Sequence, residues 1–366
     1  LNTLKSNESS YFPALTGVRA IAAYLVFMHH YAALTLIKPN STIYNFIEEL
    51  HVGVTFFFTL SGFLIAYRYF DTTDFNFKKY IVNRIARIYP MYFLLTTLTF
   101  IVFYYTKERN TINDLFIYLS NITFIRGYFN NLKFSGIGQG WSLTVEETFY
   151  FLAPVFFFLL RRNLFNIIIL PISLILFGII QVYIFQRFNF LGFMNSLEFM
   201  FNYTFWGRCF EFFIGIGLAL IFKSKKTLFN FPYLTQVGLI VITICIFSIS
   251  LFKGENDFGI RHPVGKVLNT FIMPLFGIAI FYYGLLTEKT FISKILSTKL
   301  FVLLGKSSYI FYLIHIGVIV YYLEFYSKNL LFLFISINII SIVLYTLIEE
   351  PSNKLIRNYF NNRKTK

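Results

Sequence analysis

Charge is what this chain has least of. Only 13% of its 366 residues are Asp, Glu, Lys or Arg, while 57% are hydrophobic and 21% aromatic. A soluble domain carries about 25% charged residues, so a water-solvated globular surface is excluded. Cysteine is nearly absent: Cys209 and Cys245 both lie inside apolar runs. They offer neither a disulfide framework nor a metal site, and none is expected elsewhere. Cys209 is read as a buried structural thiol rather than a covalent acyl carrier. Acidic residues number 17 against 32 basic ones, a net charge of +15. In a soluble domain that excess would suggest nucleic acid, but here the basic residues sit between apolar runs, as the positive-inside rule expects, and nucleic acid is dismissed. No repeat of fixed period and no inverted pair of broken helices is present, features that secondary transporters often show.

What remains is a series of apolar runs long enough to cross a bilayer, at about 15–37, 51–70, 90–106, 141–160, 164–185, 203–222, 233–252, 264–286, 300–323 and 330–348. They predict an all-α polytopic membrane protein, a bundle of about ten transmembrane helices. The first run carries Arg19 and passes into His29-His30 without a small-residue cleavage site, so it is expected to be retained rather than removed as a signal peptide. Residues 1–14 read as a short lead and 107–140 as the largest loop, in which 115–125 could lie in the interface or re-enter. Residues 349–366 form a basic tail, with Pro351 expected to stop the tenth helix. An even number of spans puts both termini on one side. Nineteen Lys and Arg fall on that side, ten on the other and three within spans. Both termini are therefore expected to be cytoplasmic, with 107–140 facing outward.

Ionisable residues inside the spans carry the chemical signal, because their placement is costly and usually marks a reaction or transport path. Arg19 and His30 are eleven residues apart. At 100° and 1.5 Å per residue they fall within roughly 20° of one helix face and about 16 Å apart along it. His29 points about 80° away. His suits general-base work because its ordinary pKa, about 6.5, lies near neutrality. A snorkelling Arg and a His hydrogen-bonded to a neighbouring helix are the plainer alternative. Glu146 and Glu147 sit one to two turns inside the fourth run. They diverge by about 100°, so at most one faces a site squarely. They would orient a His, bind a sugar hydroxyl or pair with a cation such as Arg208. Arg84-x-x-Arg87 can set two guanidiniums on one side of a helical turn, where planar forks suit phosphate oxygens. Contact with anionic lipid explains the same pattern. Arg208-x-x-Glu211 reads as a self-neutralising ion pair. Gly53 and Ser61-Gly62 permit close helix approach, and Lys306 and His315 read as a snorkelling Lys and a packed His.

Taken together, these segments resemble the acyltransferase-3 family of bacterial integral membrane acyltransferases over nearly the whole chain. Arg19 and His30 match its Arg-x10-His signature. Gly53-Val54, Phe56-Phe57-Phe58 and Leu60-Ser61-Gly62-Phe63-Leu64-Ile65 resemble its second-helix motif. Arg84-x-x-Arg87-Ile88-Tyr89-Pro90 resembles its cytoplasmic Arg-x-x-Arg element, and Trp141-Ser142-Leu143 through Val145-Glu146-Glu147 its Trp-Ser-Leu…Glu segment. Gly305, Ser308-Tyr309, Tyr312-Leu313 and His315 resemble the penultimate-helix pattern. Each motif alone is weak, but five in order are strong. Thr16 stands where many relatives have Asp, and Asn83 where a further basic residue often precedes Arg84, so neither is assigned a role.

The resemblance implies one membrane acyltransferase domain over residues 1–366, of the stand-alone type, in the bacterial cytoplasmic membrane. It implies acetyl-CoA as cytoplasmic donor and a cell-envelope glycan hydroxyl as acceptor. Arg84 and Arg87 would hold the CoA phosphates, Arg19 would guide the donor or stabilise developing charge, and His30 would deprotonate the acceptor or carry the acyl group. Glu146 would orient His30 or the acceptor. The rival class is a glycan or lipid transporter or flippase without chemistry, and a weaker one a non-catalytic subunit of a polysaccharide machine. Nothing in the sequence sets the oligomeric state.

Overall fold

The computed structural model describes residues 11–72, 74–106, 112–188, 190–225, 231–254 and 257–362. The lead at 1–10, the start of the largest loop at 107–111 with Lys107 and Arg109, Lys226, and the basic end at 363–366 lie outside the described residues.

The helices, in chain order, are α1 (Pro13–His30), α2 (Thr42–Glu48), α3 (Gly53–Tyr69), α4 (Phe77–Thr106), α5 (Ile112–Ile122), α6 (Trp141–Arg162), α7 (Asn166–Phe185), α8 (Leu197–Tyr203) and α9 (Phe205–Lys223). The chain continues through α10 (Leu234–Leu251), α11 (Pro263–Val267), α12 (Ala279–Thr287), α13 (Phe291–Leu296), α14 (Lys299–Ile314), α15 (Val318–Glu324), α16 (Leu330–Leu344) and α17 (Glu350–Asn362). Among the described residues there is no β-strand, only two isolated bridges. Among the described residues, eight helical segments are long and apolar enough to cross a membrane, and a ninth if the bent pair α14/α15 counts as one span. The protein is an all-α, multi-pass membrane protein. α1, expected as the first of ten, is 18 residues long and less apolar than the most apolar stretch of any of those segments, because Arg19, His29 and His30 dilute it. It is an interior helix, packed between α3 and α14.

Polar side chains mark where several helices begin. Ser41, Ser196, Thr290, Thr298 and Asn329 each accept a hydrogen bond from a backbone N–H in the first turn of α2, α8, α13, α14 and α16. Close approach follows the small residues. A Cβ on Gly62 would overlap the Phe212 carbonyl of α9, and one on Gly215 of α9 the Thr59 carbonyl of α3, so these two helices meet backbone to backbone. Arg208 and Glu211 form the expected buried pair, 2.6 Å apart, with Arg208 also donating to Thr55 of α3. Cys209 and Cys245 are buried free thiols, as expected.

Four boundaries differ from the expectation. α1 ends at His30 rather than near residue 37, and the Tyr31 hydroxyl is drawn onto the His315 carbonyl at 2.8 Å. α4 begins at Phe77, thirteen residues before Pro90. Its buried stripe of Tyr80, Arg84, Ile88, Met91, Leu95 and Thr99 runs through the proline at helical spacing, so tertiary packing carries the helix across it. The ninth run is broken: α14 and α15 meet at 85°, with Gly317 at the break in the left-handed region (φ +104). Pro351 does not end the tenth run. A π-helical stretch, Tyr345–Glu349, precedes it, and Pro351 becomes the second residue of α17, where a missing N–H is tolerated. The segment 115–125 of the largest loop is largely taken up by α5.

Candidate active site

A cleft opens between α1, α3, α4, α6 and α14. Each helix sends in one kind of chemistry. α1 provides Arg19, α4 provides Arg84 and Arg87, and α6 provides Glu146, while Tyr309 and Tyr312 come from α14. Apart from the hydroxyls of Ser61, Ser142 and Tyr150, the rest of the wall is apolar, with Phe57, Phe58 and Leu64 of α3 prominent. An apolar chamber holding a few convergent charges is the usual form of a small-molecule site.

The Glu146 carboxylate accepts hydrogen bonds from the hydroxyls of Ser61 and Tyr150. Glu147 is absent from the wall, as the 100° between neighbouring helical residues requires. The Arg84 guanidinium is 5% exposed and lies 5.7 Å from the centre of the Tyr150 ring, and its Nε has no hydrogen-bond partner among the described residues. Tyr80 fixes this corner by donating to the Tyr150 carbonyl at 2.9 Å. At the other end of the cleft the Ser142 and Tyr312 hydroxyls lie 2.8 Å apart, over the Gln139 carbonyl.

His30 does not line this cleft. It stands at the end of α1 in a cluster of four of the chain's five histidines. Its ring centre is 4.6 Å from His29 and 5.3 Å from His315, and His29 is 5.2 Å from His51. His29 donates from Nδ1 to the Glu48 carbonyl, and His315, wholly buried, donates from Nδ1 to the Tyr312 carbonyl at 2.8 Å. Tyr312 is the hinge between the two places: its hydroxyl faces the cleft and its ring centre is 5.6 Å from His315. The break after α14 makes this possible. Gln139 donates to the Tyr312 and Leu313 carbonyls at 2.8 and 2.7 Å, satisfying the end of α14 and turning His315 toward α1.

A scan of the chain against protein families finds the "Acyltransferase domain" model of the acyltransferase-3 family over residues 12–348. The chain belongs to that family. Among curated proteins it is similar to O-acetyltransferase OatA of Staphylococcus aureus (strain NCTC 8325 / PS 47), 27% identical over 379 residues, covering 96% of this chain and 57% of that protein. It is also similar to Putative O-acetyltransferase SACOL0978 of Staphylococcus aureus (strain COL), 26% identical over 382 residues, covering 96% of this chain and 58% of the relative. The chain thus spans a little over half the length of these curated relatives. No solved structure matches.

In this family member, Arg19, Arg84, Arg87 and Glu146 converge on one cleft, and Tyr312 and His315 lie between that cleft and His30. Glu146 is held by Ser61 and Tyr150 and makes no contact with His30, so it does not orient that ring here. The physical reason is depth: α6 starts well inside the bundle, after a loop that dips in to bond α14. Sequence reasoning missed His51 as a member of the histidine cluster and gave His315 only a packing role. It also missed Arg126, fully buried in the loop before α6, where it donates to the Ile137 carbonyl at 2.5 Å and holds the dipping segment in place. Burial lowers the pKa of that guanidinium, an effect that the neighbouring Tyr92 opposes. Separation in sequence hid all three.

Proposed function

We propose that this chain transfers an acetyl group from acetyl-CoA, bound from the cytoplasmic side, to a hydroxyl of a glycan of the bacterial cell envelope. The observation that carries this reading is the convergence of Arg19, Arg84 and Arg87 with Glu146 on a single apolar cleft. Three guanidiniums around a slot with one carboxylate suit a polyphosphate bearing a long uncharged arm. The relatives' names, O-acetyltransferase, support acetyl as the group and oxygen as the acceptor.

Arg84 and Arg87 bind the donor phosphates, and Arg19, also on the cleft wall, guides the donor so that its thioester arm extends toward the far end of α1, where His30 stands. The acceptor hydroxyl attacks the thioester carbon. The hydroxyl proton passes to His30 as general base, the C–S bond breaks with CoA leaving as the thiolate, and that same proton then goes to the sulfur, so CoA is released as the thiol. Tyr312 and His315 lie between the donor cleft and His30 and position the two against each other. Glu146 holds Ser61 and Tyr150 in the cleft wall and so fixes its shape. Arg19 and Arg84 enter from the starts of α1 and α4, and the excess of basic residues on that side supports a cytoplasmic opening.

Purified protein in lipid nanodiscs is mixed with acetyl-CoA, with and without envelope glycan, and free CoA is measured. Release that depends on glycan is expected. Absence of release over the whole range of envelope glycans, with intact protein, would reject the enzyme in favour of a transporter. Mass spectrometry after donor alone separates direct transfer, which leaves the protein unmodified, from a route through acetyl-His30.

A further inference from the structure

Four guanidiniums act on one another where α17 packs along α4. Arg84 and Arg87 line the cleft from α4, Arg68 stands in the last turn of α3, and α17 packs along α4. From there Arg357 sets its charge against those of Arg84, Arg68 and Arg87. Among the described residues no carboxylate lies within ion-pair distance of any of the four. Glu350 pairs instead with Lys354 at 2.8 Å, Glu349 acts on Arg87 only at longer range, and Glu147 acts likewise on Arg84. The Nε atoms of both Arg84 and Arg357 are buried without a hydrogen-bond partner among the described residues. Buried unpaired guanidinium groups facing other cations are costly, and the cost is relieved by an anion that many N–H donors reach at once.

We propose that Arg68 and Arg357 complete, with Arg84 and Arg87, a phosphate site in which α17 closes the mouth of the donor cleft. The outer pair takes a phosphate monoester and the inner pair a diphosphate. This rests on the donor reading above, since CoA carries both groups, the monoester on its 3′-ribose oxygen. Arg357 lies beyond the residues 12–348 that the family match covers, so the family pattern assigns it nothing. The two pairs differ in place: Arg84 and Arg87 line the cleft, while the exposed Arg68 and the part-buried Arg357 lie outside its wall. A dianionic monoester is the better partner for the outer pair, because two forks can share its three free oxygens. An anionic lipid headgroup offers the same phosphate chemistry.

The full chain in neutral phosphatidylcholine nanodiscs is titrated with CoA and with 3′-dephospho-CoA, as wild type, Arg357→Gln, Arg357→Lys and Arg68→Gln. Wild type should prefer CoA. Arg357→Gln and, independently, Arg68→Gln should weaken CoA by about tenfold or more, the loss of charge-assisted hydrogen bonds, and leave 3′-dephospho-CoA within about twofold. Arg357→Lys should recover part of the preference. Equal weakening of both nucleotides in both Gln variants, or no weakening of either, overturns the proposal. So does unchanged discrimination between the nucleotides accompanied by loss of co-purifying phosphatidylglycerol, which would assign the cluster to lipid. A wild type that binds neither nucleotide refutes the donor reading itself, whereas a discriminating wild type with equally discriminating variants refutes only this inference.

Discussion

Removing one imidazole at a time from the end of α1 tests the reaction scheme most directly. His29 and His30 are neighbours with ring centres 4.6 Å apart, yet their bonding differs. His29 donates to the Glu48 carbonyl, so His29→Ala leaves a part-buried acceptor unpaired and should cost about 1–3 kcal/mol of stability. His30 is exposed and makes ring contacts to His29 and His315 but no hydrogen bond among the described residues, so His30→Ala should leave stability nearly unchanged. For rate the order reverses. Loss of a positioned general base lowers turnover about 10²- to 10⁴-fold, equivalent to about 3–5 kcal/mol of transition-state stabilisation. His29→Ala should stay within about tenfold of wild type, through displacement of the His30 ring alone. The assay is glycan-dependent CoA release at matched protein amounts, paired with thermal unfolding in detergent. A dead His29→Ala beside an active His30→Ala would refute the assignment of the base, and equal rate losses would show that the cluster acts only as scaffolding.

Replacing both Arg84 and Arg87 with Lys keeps the charge but removes the planar forks, so donor affinity should fall about tenfold with normal membrane insertion; unchanged titration with acetyl-CoA would return both residues to lipid contact or topology. Because the native thiols Cys209 and Cys245 are buried, introduced cysteines report sidedness cleanly. Asn130→Cys should react with an impermeant maleimide in intact cells and Lys225→Cys should not, and reaction at both would sink the topology. Glu211→Ala strands the buried Arg208 and should cost about 3–5 kcal/mol, while a paired replacement of Arg208 by Met and Glu211 by Leu should cost clearly less; unfolding midpoints that rank the two the other way would contradict a buried ion pair.

The class of this protein and the charged residues that line its cleft were legible in the sequence, for local reasons. A bilayer demands long apolar runs, so helices such as α7 and α10 are visible as composition alone. Helical spacing is also local: it put Arg84 and Arg87 one turn apart and separated Glu146 from Glu147, and the cleft wall follows both. The small residues Gly53 and Gly62 signalled close approach, and each meets a neighbouring backbone, Ala22 and Phe212 respectively. Tertiary structure decided what depends on distant partners. Whether α4 survives Pro90 is settled by the buried stripe it shares with the bundle, and whether α14 continues past His315 by Gln139, more than 170 positions away, bonding its terminal carbonyls. The histidine cluster unites residues 29, 30, 51 and 315 from separate segments. Arg357 comes near α4 only because α17 packs along that helix. Periodicity fixes which face of one helix a residue occupies; which helix that face meets is a property of the packed bundle, where the gain from burying each polar group depends on donors and acceptors supplied from elsewhere in the chain.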